Sequence, residues 1–581
     1  MASEELVTEQ FQFLGIDVQK EVLSKCASLC SEYDVDAESF TEQWMAFSLN
    51  HLNGASPDLE NLDLFARKEF SKRSSSRCNT SAKESTRTVT GTSLAVYGTP
   101  SSNQSDNDVL CNYIAVTPKR VKEEPDSGGT PQNDLRPATY SPTVGSTKYS
   151  SRTNMGTVVH SYGDENLLQV VAKPTSLADV LDLRITQIPN DDGEVYTKAL
   201  FGFALLHETA ALLGNHMRYI SQHIMKKAGI TDCSSVRHKT QTEVAVAGRI
   251  ECDADARLNV KSVVLQGTWA ESLYQAVPVD IDNLKQYSLF PGQVVVMKGI
   301  NPRGDKFIAH EVLCDASLPI PDHKADMMNT LTGNFSMVIS AGPYTTSDNM
   351  NYEPLKDLIT YISTNKPHLV IMTGPFMDCE HSMIADMAET FTSFFDKIVD
   401  NLADISNTSP NTKVYIVSSS KDAFKENIYP TPPYTGARKH SNIHFVSDPC
   451  TLNVNGVVIG VTSCDVLMQI SQEEISSGIA GDKLSRLSRH LVWQQTYCPV
   501  WPGGAARVDS RLWAAHAQLA ATPHLLVLPS NFRYFVKNVD GCVVINPEHL
   551  TKGTGGGTFA RVLVNGGKEQ DLNIAAQIVR I

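Results

Sequence analysis

The sequence predicts a multidomain chain: an N-terminal all-α bundle, a disordered linker, a helical connecting segment, a small β-barrel and a layered C-terminal α/β domain. Three observations carry this reading. Apolar residues recur at helical spacing over residues 1–70. Ser, Thr, Pro, Gly and Asn then dominate up to about 155, where Phe and Trp are absent and four tyrosines are the only aromatics. Beyond about 240 the apolar period shortens to two, and after about 330 strand and helix patterns alternate.

Bulk properties narrow the class. A chain of 581 residues exceeds one hydrophobic core. No apolar run reaches the roughly 18–20 residues that span a bilayer. The opening "MASEELVTEQ" lacks the basic-then-apolar order of a secretory signal. An intracellular protein with no membrane partner is expected. The 12 cysteines are scattered without a CxxC, as reduced thiols would be. Net charge is −14, of which about −10 lies in residues 1–70. Such a surface repels phosphate backbones, so bulk nucleic-acid binding is disfavoured.

In residues 1–70, Val22, Cys26, Leu29 and Tyr33 share a helical face, as do Phe40, Trp44 and Phe47, and Leu59, Leu62, Ala66 and Phe70. "SPDLE" opens the last helix: Ser56 can cap it, Pro57 fits its first turn, and Asp58 and Glu60 suit the positive dipole end. A core this thin suggests a docking domain. Residues 71–155 cannot bury enough apolar surface to offset ordering entropy and read as a disordered linker. It holds proline-directed phosphorylation candidates Thr99, Thr117, Thr130 and Ser141, and a basic cluster, Lys119, Arg120 and Lys122, that resembles a nuclear-import signal. Together they point to a regulated nuclear protein.

Residues 156–238 carry helical periodicity in "SLADVLDLRI" and in the segment "KALFGFALLHETAALLGNHMRYISQHIMKKAG", with Gly229 as the stop. His207, His216 and His223 are nine and seven apart, which is no metal-pair spacing. Over 239–318, five short strands suggest an OB-type barrel. In it, Pro291-Gly292 makes a turn, Gly299 permits a bend, and Phe307 is the main candidate for base stacking. Over 330–581, apolar strands end in small-residue loops, where layered α/β sheets place chemistry. "LTKGTGGGTFAR" has its lysine before the glycines, so it reads as a glycine-rich hairpin and not a phosphate loop.

The loops are "SAGPYTTSD", "TGPFMDCEH", "SSSKDA" and "LPSNFRYF". Their spacing resembles the calcineurin-like metallophosphoesterases, which carry Asp-x-His, Gly-Asp-x-x-Asp, Gly-Asn-His-Asp/Glu and late histidines at strand ends. Two metals held there would activate water and clamp a phosphate. Here Gly342 and Pro343 stand in the first loop. Gly374 is followed by Pro375 where the bridging Asp belongs, though Asp378 matches the last Asp. Lys421 replaces a histidine beside Asp422. Asn531, Arg533 and Tyr534 stand for the late histidines. Two carboxylates cannot supply a two-metal site, so no catalytic, metal or cofactor residue is expected.

"YSLFPGQVVVMKGIN", "AGPYTTSDNMNYEPL", "GPFMD", "HFVSDPC", "LPSNFRYFVKNVDGCVVINP" and "LTKGTGGGTFAR" resemble the B subunits of replicative DNA polymerases, within them the polymerase alpha branch. The resemblance spans the chain. It implies an inactive phosphoesterase-like domain and an OB fold that together hold the zinc-bearing C-terminal domain of the catalytic subunit of DNA polymerase alpha. It further implies association with primase subunits, docking of replication-initiation factors on the N-terminal domain, only indirect contact with DNA, and nuclear function in primer synthesis. Two alternatives stay open on sequence: a residual metal-dependent phosphoesterase or nuclease, and an OB-fold single-strand DNA-binding module.

Overall fold

The computed structural model describes residues 20–33 and a few positions between 40 and 65. From 147 onward it describes all but 172, 174–182, 189–200, 255, 323–333, 436–439, 503–506 and 568–569. The chain divides into two compact units, 1–102 and 103–581. The linker phosphorylation candidates and the basic cluster lie outside the described residues.

In the first unit, helix α1 (Lys20–Tyr33) buries Val22, Cys26 and Leu29 at helical spacing. Phe40, Trp44, Leu62 and Phe65 are fully buried, and the Phe65 ring stands edge-on to Phe40 and to Trp44, each at 5.6 Å. Asp58 accepts the Asn61 amide at 2.7 Å in the manner of an N-cap. Ser56, the expected cap, is not described. Burial pushes the Cys26 thiol up to about 12, so it stays protonated.

The second unit opens earlier than expected. Tyr149 is buried among Phe559, Val579 and Ile581, donates to Asp357 at 2.8 Å, and is followed by an Arg152–Asp357 ion pair. The expected linker, 71–155, therefore ends before Thr147. Composition averaged over a window hides one aromatic that finds a pocket. Among its described residues the connecting segment holds strands as well as helices, one of the helices at Glu165–Val171. Strand β1 (Val158–Tyr162) pairs antiparallel with the last strand of the chain, and β2 (Ile185–Ile188), which begins at the last residue of "SLADVLDLRI", pairs with β13 described below; residues 176–182 of that stretch lie outside the described residues. Edge strands that short have no periodicity to read. Helix α2 (Leu206–Ala228) starts later than the sequence suggests and ends at Gly229, whose φ is 68°.

The barrel is closed by β3 (Thr240–Cys252), β4 (Val263–Gly267), β5 (Ala276–Asp280), β7 (Val294–Asn301) and β8 (Phe307–Leu313), with β6 (Tyr287–Leu289) outside the ring. The five-strand expectation holds. The register shifts at Lys298/Gly299, where a bend was anticipated. Phe307 is fully buried in the barrel core, which removes it as a base-stacking platform.

The rest is a four-layer α/β/β/α sandwich. Its elements in order are β9 (Phe335–Ala341), α3 (Glu353–Asn365), β10 (Leu369–Thr373), α4 (Phe391–Thr408), β11 (Lys413–Val417), β12 (Ile443–Val446), β13 (Cys450–Val454) and β14 (Val457–Val461). Then come α5 (Val466–Glu473), β15 (Ile475–Ser477), α6 (Lys483–Trp493), α7 (Ser510–His516), β16 (Leu525–Val527), β17 (Phe535–Val539), β18 (Cys542–Asn546), the hairpin β19 (Thr551–Lys552) and β20 (Gly555–Gly556), β21 (Thr558–Gly567) and β22 (Gln570–Arg580). One sheet runs β1-β22-β21-β9-β10-β11-β12, the other β17-β18-β16-β14-β13-β2. Alternation assigns the faces. Leu369 and Ile371 point into the shared core with Ile459 and Val527, whereas Val370 and Met372 meet Leu358 and Leu402 of the outer helices. The glycine-rich stretch forms the β19–β20 hairpin before β21, as its composition indicated.

Barrel and sandwich are joined by polar contacts. The Gln494 side chain accepts from Val294 N at 2.7 Å and donates to Val294 O at 3.0 Å. Gly292, at φ 95°, lets the turn lie against Trp501; a Cβ there would sit 2.3 Å from the Trp501 nitrogen. Strand β6 pairs with β15 of the sandwich. Beside that ribbon, Ser288 and His490 meet at 2.7 Å, Ser288 also bonds Glu474, and Arg486 holds Glu474 with bonds of 2.8 and 3.0 Å. Burial alone would raise the Glu474 carboxyl. Hydrogen bonds from His490 and Arg486 outweigh it and bring it down to about 2.

Glu474→Ala leaves Arg486 and His490 without their anion and is expected to cost about 3–5 kcal/mol in urea unfolding. In the unsubstituted protein the Glu474 contribution is complete above its ordinary value of 4.5 and is lost as pH falls toward 2. A pH series of unfolding midpoints for both proteins checks this.

Candidate functional site

The C-terminal ends of β9, β10 and β11 lie side by side because the three strands are parallel neighbours. This brings Gly342, Pro343, Gly374, Pro375, Asp378, Lys421 and Asp422 into one rim. The first two loops are packed backbone to backbone: a Cβ on Gly342 would sit 2.0 Å from the Pro375 carbonyl oxygen. Next to this contact the Tyr344 ring stacks on Phe376, centroids 4.6 Å apart, and the Tyr344 hydroxyl donates to Thr373 O at 3.0 Å. Aromatic rings and main chain fill the space between the loops.

Asp422 ties the second loop to the third. Its Oδ1 accepts the amides of Phe376 and Met377, each at 2.7 Å, and its Oδ2 takes the Tyr434 hydroxyl. Full burial pushes its carboxyl up to about 6 against these bonds. Asp378 faces it across a short antiparallel bridge, in which Cys379 N donates to Lys421 O and Ala423 N to Met377 O, both at 2.9 Å. The Asp378 carboxylate accepts the Glu380 amide at 3.0 Å, and burial raises it too. Lys421 points to solvent. His381 has both ring nitrogens engaged: Nε2 donates to Thr346 O at 3.0 Å, and Nδ1 accepts the Met383 amide at 3.2 Å.

A second cluster lies at the ends of β14, β16 and β18. Asn531 N donates to Asp465 Oδ2 at 2.8 Å, and Asp465 also caps α5 through the Met468 amide. The Asn531 carboxamide lies 3.1 Å from Nε2 of His549, whose Nδ1 donates to Gly342 O at 2.6 Å. Burial holds that imidazole below its ordinary range, hence neutral. His549 thus links the late loops to the first one. It is not among the residues singled out from sequence, although "INPEHL" follows an apolar strand just as the other loops do. The Asp448 carboxylate accepts from Thr462, Ser463 N and Ser463 Oγ at 2.7, 2.8 and 2.5 Å, and burial raises it to about 6.

Among the described residues no three His, Cys, Asp or Glu side chains converge as a metal ion requires. The rim is chemically a fastening: its acids accept amides and hydroxyls from neighbouring loops. Three barrel cations are ion-paired, Lys298 with Glu311, Lys306 with Asp280 and Arg249 with Glu251, at 2.7, 2.6 and 2.7 Å. No described helix is long and apolar enough to cross a membrane.

Asp422 titrates oppositely to Glu474. Its raised carboxyl gives stability that is complete below the ordinary 3.8 and lost as pH rises through about 6. Asp422→Asn is expected to keep the amide bonds and to flatten the stability profile between pH 4 and 6.5 by about 1–3 kcal/mol. Thermal unfolding across that range reads the difference.

Three family models match the chain. That of the DNA polymerase alpha/epsilon B subunit covers residues 337–537, that of the OB domain of the DNA polymerase alpha B subunit covers 211–315, and that of the N-terminal region of the DNA polymerase alpha B subunit covers 4–72. The chain is 31% identical to the DNA polymerase alpha B subunit of Mus musculus over 606 residues, with all of both chains covered. It is 30% identical to that of Drosophila melanogaster over 626 residues, again over both whole chains. With the Saccharomyces cerevisiae protein it shares 25% identity, over 62% of this chain and 59% of that one. A barrel within the OB-domain match, a layered α/β domain within the alpha/epsilon match and full-length similarity agree: the chain belongs to the DNA polymerase alpha B-subunit family.

Proposed function

We propose that this chain is the non-catalytic holding subunit of DNA polymerase alpha–primase. In this reading the sandwich is a calcineurin-like phosphoesterase fold whose metal ligands have been replaced. Sandwich and barrel form one platform for the zinc-bearing C-terminal domain of the catalytic subunit, in a complex that also contains the primase subunits. The acidic N-terminal unit docks replication-initiation factors, contact with DNA is indirect, and the protein works in the nucleus with its linker phosphorylated. One observation supports the non-catalytic part above others: Asp422, the best-placed carboxylate, is fully buried and holds two main-chain amides and a tyrosine hydroxyl. Freeing it for a cation would dismantle two loops. The buried Phe307 speaks against the single-strand DNA-binding alternative.

Two measurements test this. The purified full chain with added manganese is expected to hydrolyse a phosphodiester no faster than buffer alone; metal-dependent turnover would return the enzyme reading. The full chain is expected to co-elute with the polymerase alpha catalytic subunit, and a form lacking residues 1–70 to co-elute equally well while losing the initiation factors.

A further inference from the structure

Strand β22, with 11 residues, is the longest of the seven-stranded sheet. One of its edges pairs along β21, and the other meets only β1. At about 3.4 Å per residue that second edge runs for about 35 Å. Leu572, Ile574, Ala576 and Ile578 alternate along the strand and turn to the shared core. A long, regular, apolar strand with an open row of main-chain donors and acceptors is a template for further pairing. Strand β1 has the opposite character. It has five residues, and its register shifts between Val158 and His160. Short, bulged strands are poor templates, so a sheet that ends in β1 goes no further.

Strand β1 is fastened from outside the sheet. Tyr149 is 1% exposed, and its hydroxyl donates to Asp357 of α3 at 2.8 Å. The Arg152 guanidinium lies 3.7 Å over the Tyr149 ring, pairs with the same Asp357, and donates through Nε to Ile581 O at 3.0 Å. One carboxylate thus holds both residues. Gly156 N donates to Arg580 O at 2.9 Å and Arg580 N to Thr157 O at 3.0 Å, which starts the ladder. By alternation, His160 and Tyr162 are the β1 residues whose main chain turns to β22, opposite Ile578 and Ala576. Just beyond, Gly163, at φ 105°, passes so close to β22 that a Cβ would sit 2.8 Å from Ile574 O. We propose that residues 149–162 are an edge guard for the sandwich, and that with the guard lifted two copies of the chain join antiparallel through β22. The occupant is a second copy because an antiparallel strand can pair with its own twin about a twofold axis, with no other sequence needed. This goes beyond the holding reading and does not depend on it.

The test uses the full chain. Sedimentation over a concentration series reads its mass, and hydrogen exchange reads the amides of Ala576, Ile578 and Arg580, which face β1. The unsubstituted chain is expected to be a monomer with these amides protected. His160→Pro removes an amide from the β1–β22 ladder. Asp357→Ala, at a side chain 40% exposed on α3, loosens the anchor without touching either strand. His160→Pro is expected to dimerise as concentration rises, and the three amides to be protected in the dimer and to lose protection on dilution. Asp357→Ala should show the same change at higher concentration, because only the anchor is weakened. Should His160→Pro fail to fold, shown by lost circular dichroism, Asp357→Ala decides alone. A monomer in every folded variant overturns the proposal. So does association that leaves the three amides unprotected, or a dimer of the unsubstituted chain.

Discussion

Strand β10 has no face toward solvent. Leu369 and Ile371 are enclosed by the sheet-on-sheet core, Val370 and Met372 by the helices outside it, and parallel strands flank it on both edges. A strand buried in this way cannot end in a hydrated loop without bringing polar main chain into an apolar setting. The loops after β9, β10 and β11 must therefore satisfy one another. Gly342 N reaches back to Thr373 O, Gly374 N to Val417 O, and the Asp422 carboxylate collects the amides that follow Pro375. The rim is an outgrowth of the central strand's burial.

That constraint accounts for the chemistry of the acids. In a hydrolytic site, carboxylates and imidazoles at strand ends must present lone pairs to a shared point in space. Here the acids are already engaged by main-chain amides and hydroxyls around them. Asp378 and Asp465 accept amides, Asp422 and Asp448 accept amides and hydroxyls, His381 joins Thr346 O to the Met383 amide, and His549 joins Gly342 O to the Asn531 side chain. Burial raises Asp422 and Asp448 to about 6, against the donors that hold them. A surface fastened from within is suited to being gripped by another protein without losing shape.

The barrel is fastened to the sandwich both by the buried Phe290 ring and by a charged cluster. Glu474 sits between Ser288 of the barrel and Arg486 and His490 of α6, and is charged because those hydrogen bonds outweigh its burial. Buried ion pairs of this kind add little net stability but fix geometry, since any displaced arrangement strands a charge. The consequence is positional. With the barrel fixed on the sandwich, α2 is held against β7 through Met217, Ile220 and Ile224, and its outward residues form one side of a groove whose other side is the barrel.

Much of this was legible in the chain itself. Period-two runs specified the five barrel strands, since a closed barrel buries alternate residues. The apolar runs of β9, β10, β11, β14 and β16 announced strands buried on both faces, and Gly229 announced the stop of α2. On the resemblance to the metallophosphoesterases, Pro375 and Lys421 fall where an Asp and a His would be expected, and that alone carries the expectation of no metal site. What sequence could not determine were contacts between residues far apart in the chain. The Gly342–His549 bond, Tyr149 entering the core from a stretch composed like a linker, and the edge strands β1 and β2 have no local signature. Local periodicity records which face of an element is buried; only tertiary packing decides what lies on the other side of that face.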